Sequence, residues 1–136
     1  MRQLAQRVAR VRICCGDWAR ILTETPTTHN GLTGVFLDPP YAVATRKNVY
    51  GEHDTKTLAH HVAQWAIEHG QNPKLRIALC GYNAEHTMPP DWTCHAWKAR
   101  GGYSSQNKQG NPNPTKERIW FSPHCLNPAT TPQIFT

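Results

Sequence analysis

Val35-Phe36-Leu37-Asp38-Pro39-Pro40-Tyr41 is the stretch on which the fold of this 136-residue chain turns. Three consecutive apolar residues, with a β-branched valine and an aromatic among them, predict a short strand buried on both faces, as in a parallel sheet. Asp-Pro-Pro stops that strand, because neither proline donates to a ladder and each fixes its own φ. A carboxylate and an aromatic ring are thus expected together at a strand's carboxyl end. Open parallel sheets bind their ligands there.

Outward from this point, the flanking segments alternate in type. Residues 25–34 and 42–53 are polar loops. The segment 18–22 has the pattern of a helical turn, and residues 11–15 (VRICC) that of a strand ending at Gly16-Asp17. Leu4, Val8 and Val11 share a helical face in the arginine-rich N-terminal stretch. From Asp54 a helix is expected, with Leu58, Val62, Trp65 and Ala66 on one face and Gly70 closing it. Residues 75–80 (LRIALC) predict a second buried strand ending at Gly81-Tyr82. Strand, loop, helix and strand in this order specify an α/β fold with a parallel sheet. Residues 93–98 and 118–121, joined by a Gly/Asn/Pro-rich loop at 101–115, predict an antiparallel hairpin at one edge. The expected layout is one domain over residues 1–122 and a tail over 123–136.

Composition narrows the class. Hydrophobic residues make up 38% of the chain and there are 11 prolines, so a loop-rich protein with one modest core is expected. The formal charge of +6 favours an anionic partner such as nucleic acid. No apolar run is long enough to cross a bilayer, and the N-terminus lacks the apolar core of a signal peptide. The five cysteines are an odd number. Three of them fall in strand-like runs, where free cysteine behaves as a small buried hydrophobe, and a reducing, cytoplasmic setting is expected.

The residues at 38–41 suit one kind of chemistry. An exocyclic amine on an aromatic base is a poor nucleophile, since its lone pair is delocalised into the ring. Two acceptors on its N–H groups draw the nitrogen towards a tetrahedral shape and free that pair. The Asp38 carboxylate supplies one acceptor and the Pro39 carbonyl the other, while Pro40 stiffens the backbone. Tyr41 offers a ring face to the base, a contact worth about 1–3 kcal/mol. The alternative for Asp-Pro-Pro is an ordinary turn.

These residues resemble the catalytic motif of the Dam-type DNA adenine N6-methyltransferases, phage and prophage members included. Cys15-Gly16-Asp17-Trp18 is similar to the family segment that lines the donor's adenine pocket, residues 75–82 to the following core strand, and residues 117–121 to the closing one. The resemblance implies a partial Rossmann-like class I methyltransferase sheet. It implies S-adenosyl-L-methionine as methyl donor, held by Cys15, Gly16, Asp17, Trp18 and Asp38. It further implies DNA as partner, with a flipped adenine held by Asp38, Pro39, Pro40 and Tyr41.

The chain also departs from that family. None of its nine glycines forms the Gly-x-Gly turn that brings backbone close to the donor's methionine end. The expectation is that the chain begins at the family's third strand, with the catalytic strand left as an apolar edge. Either residues 11–15 then pair beside it, or a complementing N-terminal methyltransferase fragment fills the gap and the chain alone has little activity. Alternatives are a non-catalytic remnant that binds DNA or pairs with an intact methyltransferase, and methylation of another amine, such as cytosine N4, an RNA base or a protein glutamine.

Other features have two readings each. Lys98, Arg100, Lys108, Lys116 and Arg118, with Tyr103 among them, form either a clamp on DNA phosphates or a solvated loop. Arg46, Lys47 and His53 belong either to a substrate lid or to a charged surface. Cys94-His95 and His124-Cys125 lack the Cys-x-x-Cys or His-x-His spacing of a metal centre. Trp65 and Trp120 are expected in the core.

Overall fold

The computed structural model describes residues 5–6, 8–9, 11–41, 54–96 and 116–126. Four strands and one long helix carry the fold: β1 (Thr33–Leu37), α1 (Asp54–His69), β2 (Leu75–Tyr82), β3 (Thr93–Ala96) and β4 (Glu117–Phe121). The strands form one open sheet in the order β1-β2-β4-β3. β1 and β2 run parallel, Val35 beside Ile77 and Leu37 beside Leu79. β4 is antiparallel to β2 and to β3, as expected of the edge hairpin. The result is a mixed α/β sheet with one parallel pair and one crossover helix.

The core follows from two periodicities. Val35, Leu37, Leu75, Ile77 and Leu79 alternate onto one face of β1 and β2 and are buried there. Ala59, Val62, Ala63 and Ala66 recur along α1 at helical spacing and are buried as well. Leu58 and Trp65 flank that stripe and pack against the core, which Trp92 and Trp120 complete. Removing a large apolar side chain as enclosed as Ile77 or Leu79 costs about 2–5 kcal/mol.

Gly70 ends α1 for a reason of packing. Its backbone is not left-handed, but a Cβ there would lie 2.6 Å from Cζ2 of Trp92. The absent side chain is the seat of the indole ring. Ser122, just after β4 and buried, binds β2 twice. Its backbone N–H donates to the Ile77 carbonyl (2.9 Å), and its Oγ accepts from the Ile77 N–H (3.0 Å). Cys125 Sγ donates to the same carbonyl (3.4 Å), and His124 Nε2 lies 3.1 Å from the Gln71 carbonyl. Residues 122–125 thus lie against β2, and the rest of the expected tail is outside the described residues.

Three expectations need correction. Residues 11–15 form no strand: they are exposed, with Ile13 95% accessible, and have no ladder partner among the described residues. Arg12 between Val11 and Ile13, and the absence of any ladder partner, leave nothing to hold them in a sheet. β1 is buried on one face only, since Phe36 is 65% exposed, because α1 covers the Val35/Leu37 side. Of the cysteines, Cys80 alone is buried; Cys14, Cys15 and Cys94 are exposed and Cys125 is half-buried. At the N-terminus Ala5, Gln6 and Val8 are helical, the Ala9 N–H donating to the Ala5 carbonyl at 3.0 Å.

Gly70→Ala is expected to destabilise the fold by about 1–3 kcal/mol through overpacking against Trp92. Ser122→Ala is expected to cost about 1–3 kcal/mol by leaving the buried Ile77 N–H short of a partner. Urea melts followed by circular dichroism measure both.

Candidate functional site

The parallel register sets the site. Leu37 lies beside Leu79, so Asp38 emerges next to Cys80 at the carboxyl ends of β1 and β2. The Asp38 residue is exposed, Pro39 is buried, and Pro40 and Tyr41 are half-buried. The tetrapeptide therefore pins its prolines inward and leaves the carboxylate accessible.

The Tyr41 ring meets Tyr82 edge-on, with centroids 4.6 Å apart and planes at 63°. Tyr82 is itself well anchored. Its N–H donates to Oε2 of Glu85 at 2.7 Å, and its carbonyl accepts from the Glu85 N–H at 3.0 Å. The turn between them holds Ala84 at φ 65°, in the left-handed region. The next N–H, of Asn83, donates to the Lys116 carbonyl at 2.7 Å, tying this turn to the start of β4.

The site is electronegative. Burial, then the Asp38 charge, holds the Tyr41 phenol well above its ordinary value, with Glu117 adding in the same direction. Burial, then the Asp38 and Glu117 carboxylates, pushes the Cys80 thiol up to about 11. Behind Cys80, Gly81 leaves room for the His86 ring: a Cβ there would lie 2.9 Å from its Cδ2 and Nε2. His86 sits edge-on to Trp120 (5.5 Å) and to His60 (6.3 Å). Its Nε2 is buried without a hydrogen-bond partner among the described residues. Burial favours the neutral ring, His60 acts with it and Glu85 against it.

A concavity of about 600 Å³ runs along β1, lined by Cys14 to Trp18, Arg20 to Leu22, and Val35 to Leu37. That is within the size range of small-molecule sites, about 300–1,000 Å³. Gly16 supplies φ 147° at its rim, a backbone that disfavours side chains. One Asp17 carboxylate oxygen caps the following 3-10 turn, Trp18–Arg20, by accepting from the Ala19 N–H at 3.0 Å. Trp18 packs against the core and lies edge-on to Trp65 at 6.4 Å. Leu37, in the wall of this cavity, immediately precedes Asp38. Cys15, Gly16, Asp17 and Trp18 are thus gathered on β1 with the Asp38-Pro39-Pro40-Tyr41 site at its end.

The remaining candidates divide by position. Lys116 is exposed in the turn before β4. Arg46, Lys47, His53, Lys98, Arg100, Tyr103 and Lys108 lie outside the described residues. Among the described residues no three His, Cys, Asp or Glu side chains gather as a metal centre. Cys80, Tyr82, Glu85 and Glu117 were not singled out from sequence as site residues. Aligning the ends of the two apolar runs at 35–37 and 75–80 is the signal that brings residues 80–82 beside residues 38–41.

No protein-family model, no curated protein and no solved structure matches the chain. No described helix is long and apolar enough to cross a membrane.

The raised Cys80 value has a pH consequence. The folded state holds the thiol proton up to about 11, whereas the unfolded chain releases it near 9.0. Protons bound only by the folded form stabilise it, so this contribution is full below pH 9.0 and is lost as pH rises towards 11. Thermal melts between those limits should show a steeper loss of stability for the wild type than for Cys80→Ala.

Proposed function

We propose that the chain carries the acceptor site of an S-adenosylmethionine-dependent methyltransferase acting on N6 of adenine in DNA. The observation that carries this reading is the position of Asp38-Pro39-Pro40-Tyr41 at the end of a parallel strand, with Asp38 exposed and the Tyr41 ring in contact with Tyr82. The cavity beside the same strand, at the segment that resembles the family's donor pocket, supports it independently. The net charge of +6 suits a polyanionic partner. In this reading the sheet is the carboxyl-terminal part of a Rossmann-like class I methyltransferase.

The residues present fit the adenine end of the donor. Trp18 offers an apolar ring, Gly16 a close backbone, and the cavity has the required size. S-adenosylmethionine supplies an already electrophilic methyl group when bound. The chain's own work is then on the acceptor: Asp38 and the Pro39 carbonyl accept the two amine N–H groups, and Tyr41 holds the base by its face. Fixed acceptors of this kind stabilise the positive charge that grows on the nitrogen, without reorganising during the reaction.

One further observation favours a second version of this reading. Among the described residues β1 pairs on one side only, with β2, and Phe36, which lines the cavity, is exposed, as are Leu32 and Ile13. An apolar edge of this kind accepts another strand. A complementing methyltransferase segment, seated there, would finish the donor pocket.

Titration calorimetry with S-adenosylmethionine tests the proposal. Binding that Trp18→Ala weakens about tenfold or more, a loss of about 1.4 kcal/mol, is the expected result. Absence of donor binding by the chain, with DNA binding retained, would favour the non-catalytic or complemented forms.

A further inference from the structure

The amino ends of the parallel strands border a cleft of their own, at the opposite end of the sheet from Asp38. It takes in about 520 Å³ between the loop of residues 23–28, the last turn of α1 and the start of β2. Both walls are fixed by hydrogen bonds. In the loop, the Glu24 carbonyl accepts from the Thr27 and His29 N–H groups at 3.2 and 3.0 Å, and Thr27 Oγ1 donates to the Thr23 carbonyl at 2.6 Å. Across the cleft, the Asn72 N–H donates to the His69 carbonyl (3.0 Å) and the Asn72 carbonyl accepts from the Leu75 N–H (2.9 Å). Its side-chain Oδ1 accepts from the Lys74 N–H at 2.9 Å.

The lining combines acceptors with apolar surface. Glu24 contributes a carboxylate. His69 stacks on the Trp65 ring (4.3 Å, planes at 15°), and its Nδ1 lies 2.8 Å from the Trp65 carbonyl. A carbonyl only accepts, so Nδ1 carries the ring's proton and Nε2 is left as an acceptor. The 16-residue α1 ends at His69, so the negative end of its dipole falls at the same place. Leu22, Trp65 and Leu75 supply the apolar part.

We propose that this cleft binds a primary ammonium carried on an apolar body, such as an arylalkylamine. The three N–H donors of an ammonium match acceptors at Glu24, His69 and Asn72, whose Oδ1 has a second lone pair beyond the one that Lys74 takes. The bond to the carboxylate is charged on both sides and is the strongest of the set. A carboxylate or phosphate ligand would meet the Glu24 charge and the helix C-terminus, both of the wrong sign for it. The apolar body lies against Leu22, Trp65 and Leu75. The site owes nothing to the Asp38 tetrapeptide, so it stands or falls apart from the methyltransferase reading.

Proton–nitrogen NMR of the full chain, titrated with phenethylamine at neutral pH, where it is a cation, tests this. Backbone amides of residues 23–28 and 69–75 should shift and saturate, with a Kd of about 1 mM or below, within reach of a ligand of this size. Phenethyl alcohol has the same shape without the charge, and should bind at least about tenfold more weakly. Glu24→Gln keeps the backbone bonds of the loop, and should weaken the amine about tenfold while leaving the alcohol unchanged. Equal affinity for amine and alcohol, wild-type amine affinity in Glu24→Gln, or no saturable shift of these amides overturns the proposal. Shifts confined to residues 38–41 and 80–82 also overturn it, and place the amine at the tetrapeptide instead. The comparison of amine with alcohol is made on unmutated protein, so it decides the matter even where Glu24→Gln fails to fold.

Discussion

The parallel pairing of β1 with β2 is the constraint on which everything else in this fold depends. Leu37 beside Leu79 puts two buried side chains of adjacent strands over the alanine-rich face of α1. The same register carries Asp38 to Cys80, and so places the accessible carboxylate next to the turn that bears Tyr82. A shift of one residue would turn Val35 and Leu37 outward and Phe36 inward, and would separate the tetrapeptide from Tyr82 altogether. Core and site are therefore specified by one choice. The apolar residues fix the register because burial demands it, and the polar residues at the strand ends inherit their geometry.

The site pays for its accessibility with an unfinished edge. A central parallel strand is normally covered on both sides by ladders and on both faces by helices. Here β1 has β2 on one side and α1 over one face, with Phe36 exposed on the other. The segment from Cys14 to Leu22 runs along this edge without pairing to it, and the space left between them is the cavity that contains Trp18. The tetrapeptide and the cavity thus share a strand: Tyr41 contacts Tyr82 beside the Glu85 turn at its end, and the cavity lies along its side.

Much of this was legible in the sequence, and the misses have physical causes. The helix was readable because Leu58, Val62, Trp65 and Ala66 repeat at its period, and the two parallel strands because each is an apolar run closed by a turn signal. The edge hairpin was readable from two short strands around a loop rich in glycine and asparagine. What periodicity cannot give is the neighbour across a sheet. Residues 11–15 have the composition of a strand, yet composition does not supply a ladder partner, and they remain unpaired. Phe36 looked like core because its run is continuous; only the placement of α1 decides which face is covered. Gly70 was readable as the residue closing the helix, but not that the indole of Trp92, more than twenty residues away, is what excludes a side chain there. Tyr82, Glu85 and Glu117 carry no motif of their own, and become site residues only when the strand ends are set side by side.

The central claim is that Asp38, at the end of β1, holds an adenine amine for methylation. Its most direct test is mass spectrometry of nucleosides from DNA incubated with the protein and methyl-labelled S-adenosylmethionine, with a strand-supplying methyltransferase fragment present and absent. The account predicts labelled N6-methyladenine that depends on Asp38, at least about a hundredfold less of it forming with Asp38→Ala. Label on a different base or on protein, or N6-methyladenine formed equally well without the Asp38 carboxylate, would contradict it.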